Sequence, residues 1–214
     1  MSVVAEAPAV RSSLRGPAVL ISLASLVALA FFAVAAAPYL LSSEYNAAQY
    51  MGRRPALLVH ITFGTIALFS GPVQLWLGLA ERTMTLHRKL GIVYMIGVTG
   101  SAAAAYVIAL QPSAGWIFGT GLMGLATAWL VTTTLAFLAI RRQLIDQHKE
   151  WMIRSYVVTF AFVFFRIGSV TLKAMDPANE LQQVQALAWA AWALPLLVTE
   201  AILQGRKILA VRVP

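Results

Sequence analysis

The sequence predicts an all-α, polytopic integral membrane protein: a bundle of six transmembrane helices with both termini inside. Three observations carry this prediction. The chain is 60% hydrophobic and 11% charged, with a mean hydropathy of +0.77, whereas soluble domains carry about 25% charged residues. Its apolar residues fall in six runs, each offering the roughly 20 residues a helix needs to cross the hydrocarbon core. Its Lys and Arg residues gather on one side of those runs. The net charge of +8 lies in short loops between apolar runs, so it reports topology and contact with anionic lipid headgroups and not nucleic-acid binding. The absence of Cys excludes disulfides, thiolate metal sites and a Cys nucleophile.

The first run, Gly16 to Ser43, has 28 uncharged residues. A cleavable signal has an apolar region of about 7–15 residues, so Ala35-Ala36-Ala37 reads as part of a span at about 17–41 and not as a cleavage site. The second span, about 55–80, opens on Pro55, which suits a first helical turn. Residues 90–140 are 51 in a row without charge, too many for one crossing. Gln111-Pro112-Ser113-Ala114-Gly115 divides them into spans at about 90–110 and 116–140. The fifth and sixth spans are about 150–171 and 183–204. The termini and loops are too short for a further domain, so residues 1–214 read as one transmembrane domain. With the N-terminus inside, the inner segments hold eleven Lys and Arg (Arg11, Arg15, Arg82, Arg88, Lys89, Arg141, Arg142, Lys149, Arg206, Lys207, Arg212) and the outer ones three (Arg53, Arg54, Lys173). Arg154 and Arg166 remain at membrane depth. The bias fixes an N-in, C-in expectation.

Two helical faces carry polar residues. In the second span His60, Gly64, Gly71, Gln74 and Gly78 are spaced 4, 7, 3 and 4, one stripe at 100° per residue. Glycines at this spacing let a neighbouring backbone approach, and Pro72 predicts a kink beside Gly71. In the fifth span His148, Met152, Ser155, Thr159, Phe162 and Arg166 are spaced 4, 3, 4, 3 and 4. If these antiparallel stripes face each other they form a polar seam of two storeys: His60 with Arg166 outside, and Gln74, His148 and Met152 inside. His87 joins the inner storey, because His87-Arg88 and His148-Lys149 open two spans from the same side. Arg154 lies off the stripe and is expected to snorkel to inner headgroups or to pair with Glu200.

The ordered set of His60 with Gly64, Gly71-Pro72-Val73-Gln74, His87-Arg88-Lys89-Leu90-Gly91-Ile92-Val93-Tyr94, His148 through Tyr156, and Arg166 resembles a bacterial family of predicted membrane proteins catalogued as domain of unknown function 2306. The resemblance covers about residues 55–170, and the flanking spans match only in hydrophobicity. It departs at Gly91-Ile92, where that family usually has Gly-Arg. It implies a fold, site positions and a bacterial inner membrane, but brings no reaction with it.

Three functional readings of the seam are open. The first is a non-catalytic membrane subunit or assembly partner, the seam holding the bundle to itself, to a second copy or to another membrane protein. The second is a redox protein binding one b-type haem or a metal. Here His87 and His148 are the ligands, Met152 an alternative soft ligand, and Arg154, Arg88 and Tyr94 hold the propionates. The third is a small-solute or proton-coupled carrier with His60, Gln74 and Arg166 along its path. Hydrolysis and phosphoryl transfer lack support. No Ser-His-Asp order, phosphate loop or zinc motif is present, and Asp and Glu are nearly confined to loops.

Overall fold

A computed structural model describes residues 15–41, 52–81 and 83–210. Arg11, Arg82 and Arg212, which enter the charge count, lie outside the described residues. The described chain is helical: α1 (Arg15–Phe31), a π-helical turn (Phe32–Ala36), α2 (Ala37–Leu41), α3 (Arg54–Leu79), α4 (Met84–Ala109), α5 (Gly115–Arg141), α6 (Ile145–Thr159), α7 (Ala161–Met175), a 3₁₀ turn (Pro177–Asn179) and α8 (Glu180–Ala210). By length and hydropathy these make six membrane-crossing segments. The chain is thus a multi-pass membrane protein whose helices contact lipid.

The helices extend past the apolar runs. α4 begins at Met84 and α6 at Ile145, and α8 covers Glu180–Ala210. Polar residues at span ends continue the helix into the interface, because hydrogen bonding inside the helix satisfies their backbone. His87 and His148 therefore each stand fourth in their helices, and neither lies in a loop.

Proline explains the π turn of the first span. Pro38 has no N–H for the carbonyl four residues back, and the chain widens ahead of it, the Ala37 N–H bonding to the Phe32 carbonyl. Pro72 creates the same vacancy in α3, at the Leu68 carbonyl. A side chain from another helix fills it: the Tyr156 hydroxyl donates to that carbonyl at 3.1 Å. Gly71 makes this possible, since a Cβ there would overlap the Tyr156 ring. The helix continues through Pro72 as one element.

α3 and α4 form the most extensive helix pair, followed by α5 with α6. Small residues set the α3–α4 distance. A Cβ on Gly97 would sit 2.9 Å from the Ala67 nitrogen and the Phe63 carbonyl oxygen, so the backbones approach directly. The core gathers Ala67, Leu68, Tyr94, Val98, Trp129, Tyr156, Val158 and Phe160. α1 is peripheral: it packs mainly on α3 and leaves Leu20, Leu23, Leu26 and Leu29 exposed.

The fifth span differs from a continuous helix over 150–171. It breaks at Phe160, between α6 and α7. Just before the break the Thr159 hydroxyl donates to the Ser155 carbonyl at 2.9 Å, a back-bond that bends helices, while the Phe160 N–H lies 3.2 Å from the Tyr156 and 3.1 Å from the Val157 carbonyl.

Candidate functional site

At one end of the bundle the starts of α4 and α6 meet the ends of α5 and α8. This end carries Arg88, Lys89, Arg141, Arg142, Lys149, Arg206 and Lys207, and is called the basic end below. A Lys207–Glu150 ion pair at 2.8 Å joins α8 to α6 there.

The two histidines expected in the inner storey are together at this end. The ring centres of His87 and His148 are 6.4 Å apart, with planes at 90°. Both side chains are half-buried. Each ring is held from behind. His148 Nδ1–H donates to the Ala136 carbonyl on α5 at 2.9 Å, which leaves Nε2 with the lone pair in the neutral ring. His87 lies against Gly78 of α3, where a Cβ would sit 3.3 Å from its Cε1. Gln74 Nε2 donates to the His87 backbone carbonyl at 2.6 Å. The ring nitrogen His87 Nδ1 is buried and has no hydrogen-bond partner in the structure, although buried polar atoms are nearly always bonded.

The remaining residues expected around the histidines are engaged elsewhere. Arg154 is only 6% exposed, and of its two expected fates the structure shows the pairing with Glu200. Its guanidinium turns to α8, with Nη2 2.6 Å and Nε 2.7 Å from Glu200 Oε2, and with Glu150 at 3.5 Å and the Trp151 ring at 4.6 Å. It lies off the stripe, as its spacing implied, and the carboxylates of α6 and α8 occupy the charge expected to serve propionates. Tyr94 is fully buried and two turns along α4 from His87, about 10 Å at 1.5 Å per residue. Met152 packs against the core cluster.

Tyr94 belongs to a chain of side-chain hydroxyls in the middle of the bundle. Its oxygen is 2.7 Å from Ser155 Oγ and 2.9 Å from Thr159 Oγ1. Thr133 Oγ1 is 2.7 Å from Ser155 Oγ, and Trp129 Nε1–H donates to Thr159 Oγ1 at 2.9 Å. Counting hydrogens orders these bonds. The Thr159 proton goes to the Ser155 carbonyl, so Tyr94 donates to Thr159, Ser155 to Tyr94, and Thr133 to Ser155. Each hydroxyl donates once, in one direction.

At the opposite end lies a cavity of about 180 Å³, mostly apolar, between the π turn, α3, α4, α5 and α7. His60 and Arg166, the expected outer storey, both line it. His60 Nδ1 lies 3.0 Å from the Ser101 carbonyl oxygen and 2.9 Å from Ser101 Oγ, which is itself 3.0 Å from the His60 carbonyl oxygen; all three contacts are hydrogen bonds only when Nδ1–H is the donor and the Ser101 proton goes to the His60 carbonyl. Phe162 meets the His60 ring edge-on at 5.6 Å. Arg166 is exposed and donates to the Tyr39 hydroxyl at 3.3 Å. Among the described residues no carboxylate pairs with it. Ser101, Trp129 and Thr133 were missed in the sequence. Only Ser101 had a signal, standing at small-residue spacing with Gly97 and Ala104 on α4.

Among the described residues no group of three or more His, Asp or Glu side chains is placed to hold a metal ion, so the histidine pair stands as a two-ligand set. No curated protein and no solved structure matches the chain. A family model does match, over residues 57–203, and so reaches through the sixth span, where the sequence showed hydrophobicity alone. By this match the chain belongs to the family of predicted membrane proteins catalogued as domain of unknown function 2306.

Proposed function

We propose that the protein is a membrane redox protein that binds one b-type haem between His87 and His148, at the inner face of a bacterial cytoplasmic membrane. The 6.4 Å separation of the two ring centres carries the reading. An imidazole nitrogen binds a transition metal at about 2.0–2.1 Å and lies about 1.1 Å from its ring centre, so imidazoles on opposite sides of one ion have centres about 6.3 Å apart. Imidazoles around a tetrahedral ion would stand closer. Two imidazoles at this spacing would hold haem iron, whose other four ligands come from the macrocycle.

The surroundings support it. The His148 bond to Ala136 is the backbone anchor that ligating histidines usually make with their second nitrogen, fixing tautomer and ring orientation. Gly78 leaves the space that His87 occupies. Arg88, Lys89 and Lys149 stand exposed beside the two histidines in sequence, at the end where propionates would meet water. A seam that only packs the bundle accounts for His60 and Ser101, which satisfy one another. It does not account for a buried, unpartnered His87 nitrogen.

The test is an absorption spectrum of protein purified after expression with haem supplied. The expected result is a Soret band with about one haem per chain, lost in His87→Ala and in His148→Ala. A colourless wild-type protein under these conditions overturns the proposal.

A further inference from the structure

The cavity at the end opposite the basic one has a lining whose hydrogen-bonding capacity the protein does not use up. His60 commits Nδ1–H to the Ser101 carbonyl, so its neutral ring presents Nε2 as an acceptor, and no described group donates to it. Across the cavity Arg166 has five N–H donors. Among the described residues they meet one hydroxyl, that of Tyr39. An arginine at membrane depth without a carboxylate marks a ligand or ion site more often than a structural one. Arg53, Thr65, Ser113 and Thr159 also line the cavity, and the rest of its wall is apolar and aromatic, with Phe118, Phe162 and Trp129 among them. About 180 Å³ suits a compact head group and not a whole lipid.

We propose that this cavity binds the head group of a membrane quinol. The lining asks for one ligand that both donates and accepts. A dihydric phenol donates one O–H to His60 Nε2 and accepts from Arg166 at an oxygen, while its flat ring lies among the aromatic walls. A carboxylate or fully ionised phosphate head satisfies Arg166 but sets oxygen lone pairs against Nε2. An oxidised quinone likewise has only acceptors. The site therefore selects quinol over quinone and over anionic amphiphiles. It goes beyond the haem reading and does not depend on it, since its residues lie at the other end of the bundle.

The experiment titrates full-length protein in nanodiscs with decylubiquinol held reduced, with decylubiquinone, and with dodecyl phosphate. Binding is read from tryptophan fluorescence and from the rise in melting temperature. Decylubiquinol is expected to bind saturably and at least tenfold more tightly than the other two. Arg166→Gln weakens it at least tenfold. Leu125→Trp, which fills the cavity from a wall residue and spares both polar groups, abolishes it. The His87→Ala, His148→Ala double variant retains it, so failure of the haem reading and failure of this one are distinguishable. The proposal is overturned if no probe saturates, if dodecyl phosphate binds as tightly as the quinol, or if both cavity variants bind the quinol like the parent.

Discussion

At the end away from the basic loops, His60 gives Nδ1–H to a backbone carbonyl on a neighbouring helix and turns its free nitrogen to a cavity. At the basic end His148 makes the same kind of bond, to Ala136, but the ring it meets is a second imidazole, His87. His60 closes a reciprocal clamp with Ser101. The pair at the basic end leaves His87 Nδ1 buried and unpartnered. One residue type therefore leaves a nitrogen open in two ways. Where the cavity lies, the partner helix supplies a carbonyl for one nitrogen of His60 and the ring lines the cavity with the other unused. At the basic end His87 Nδ1 is buried with no carbonyl to meet it.

The largest effect should separate the two ends outright. His87→Ala or His148→Ala removes the absorption of bound haem, whereas His60→Ala leaves it within about 20% of the parent's (an order-of-magnitude bound for a site at the far end of the bundle). Equal loss in all three variants would dissolve the contrast between the ends. Next in size is Gly71→Ala, whose new methyl overlaps the Tyr156 ring. Overpacking of this kind costs about 1–3 kcal/mol, and the direct overlap places it near 3 kcal/mol. The check is unfolding in mixed micelles of mild detergent and sodium dodecyl sulfate. Tyr156→Phe, which keeps the ring and strands the Leu68 carbonyl, is expected to lose about 1–2 kcal/mol in the same assay. Because both changes act on one contact, the double variant should lose less than the sum. The smallest effect belongs to Lys173→Ala. Its pair with Glu180, at 2.9 Å, is open to solvent on both sides, and exposed pairs contribute roughly 0–1 kcal/mol.

Much of this was legible in the sequence, for reasons tied to single residues. Hydropathy runs marked the six spans, because lipid demands about 20 apolar residues wherever a helix crosses. The 4, 7, 3, 4 spacing from His60 to Gly78 put the glycines of α3 on one face, and two of them, Gly71 and Gly78, receive the Tyr156 and His87 rings. What stayed hidden depends on partners far away in the chain. Arg154 had two plausible fates, and the carboxylate that settles them, Glu200, is 46 residues on. The break at Phe160 follows from a Thr159 back-bond that many unbroken helices also contain. The hydroxyl chain joins Tyr94, Ser155, Thr159 and Thr133 from three helices, so no single periodicity announces it.

Tyr156 and Pro72 also order the assembly of the protein. A ribosome delivers α3 and α4 to the membrane before α6. Until α6 arrives, the Leu68 carbonyl faces hydrocarbon with neither the N–H that Pro72 lacks nor the phenol that replaces it. The early hairpin is therefore left unfinished by its own sequence, and the later helix completes it. A chain truncated before α6 would keep that carbonyl unpaired.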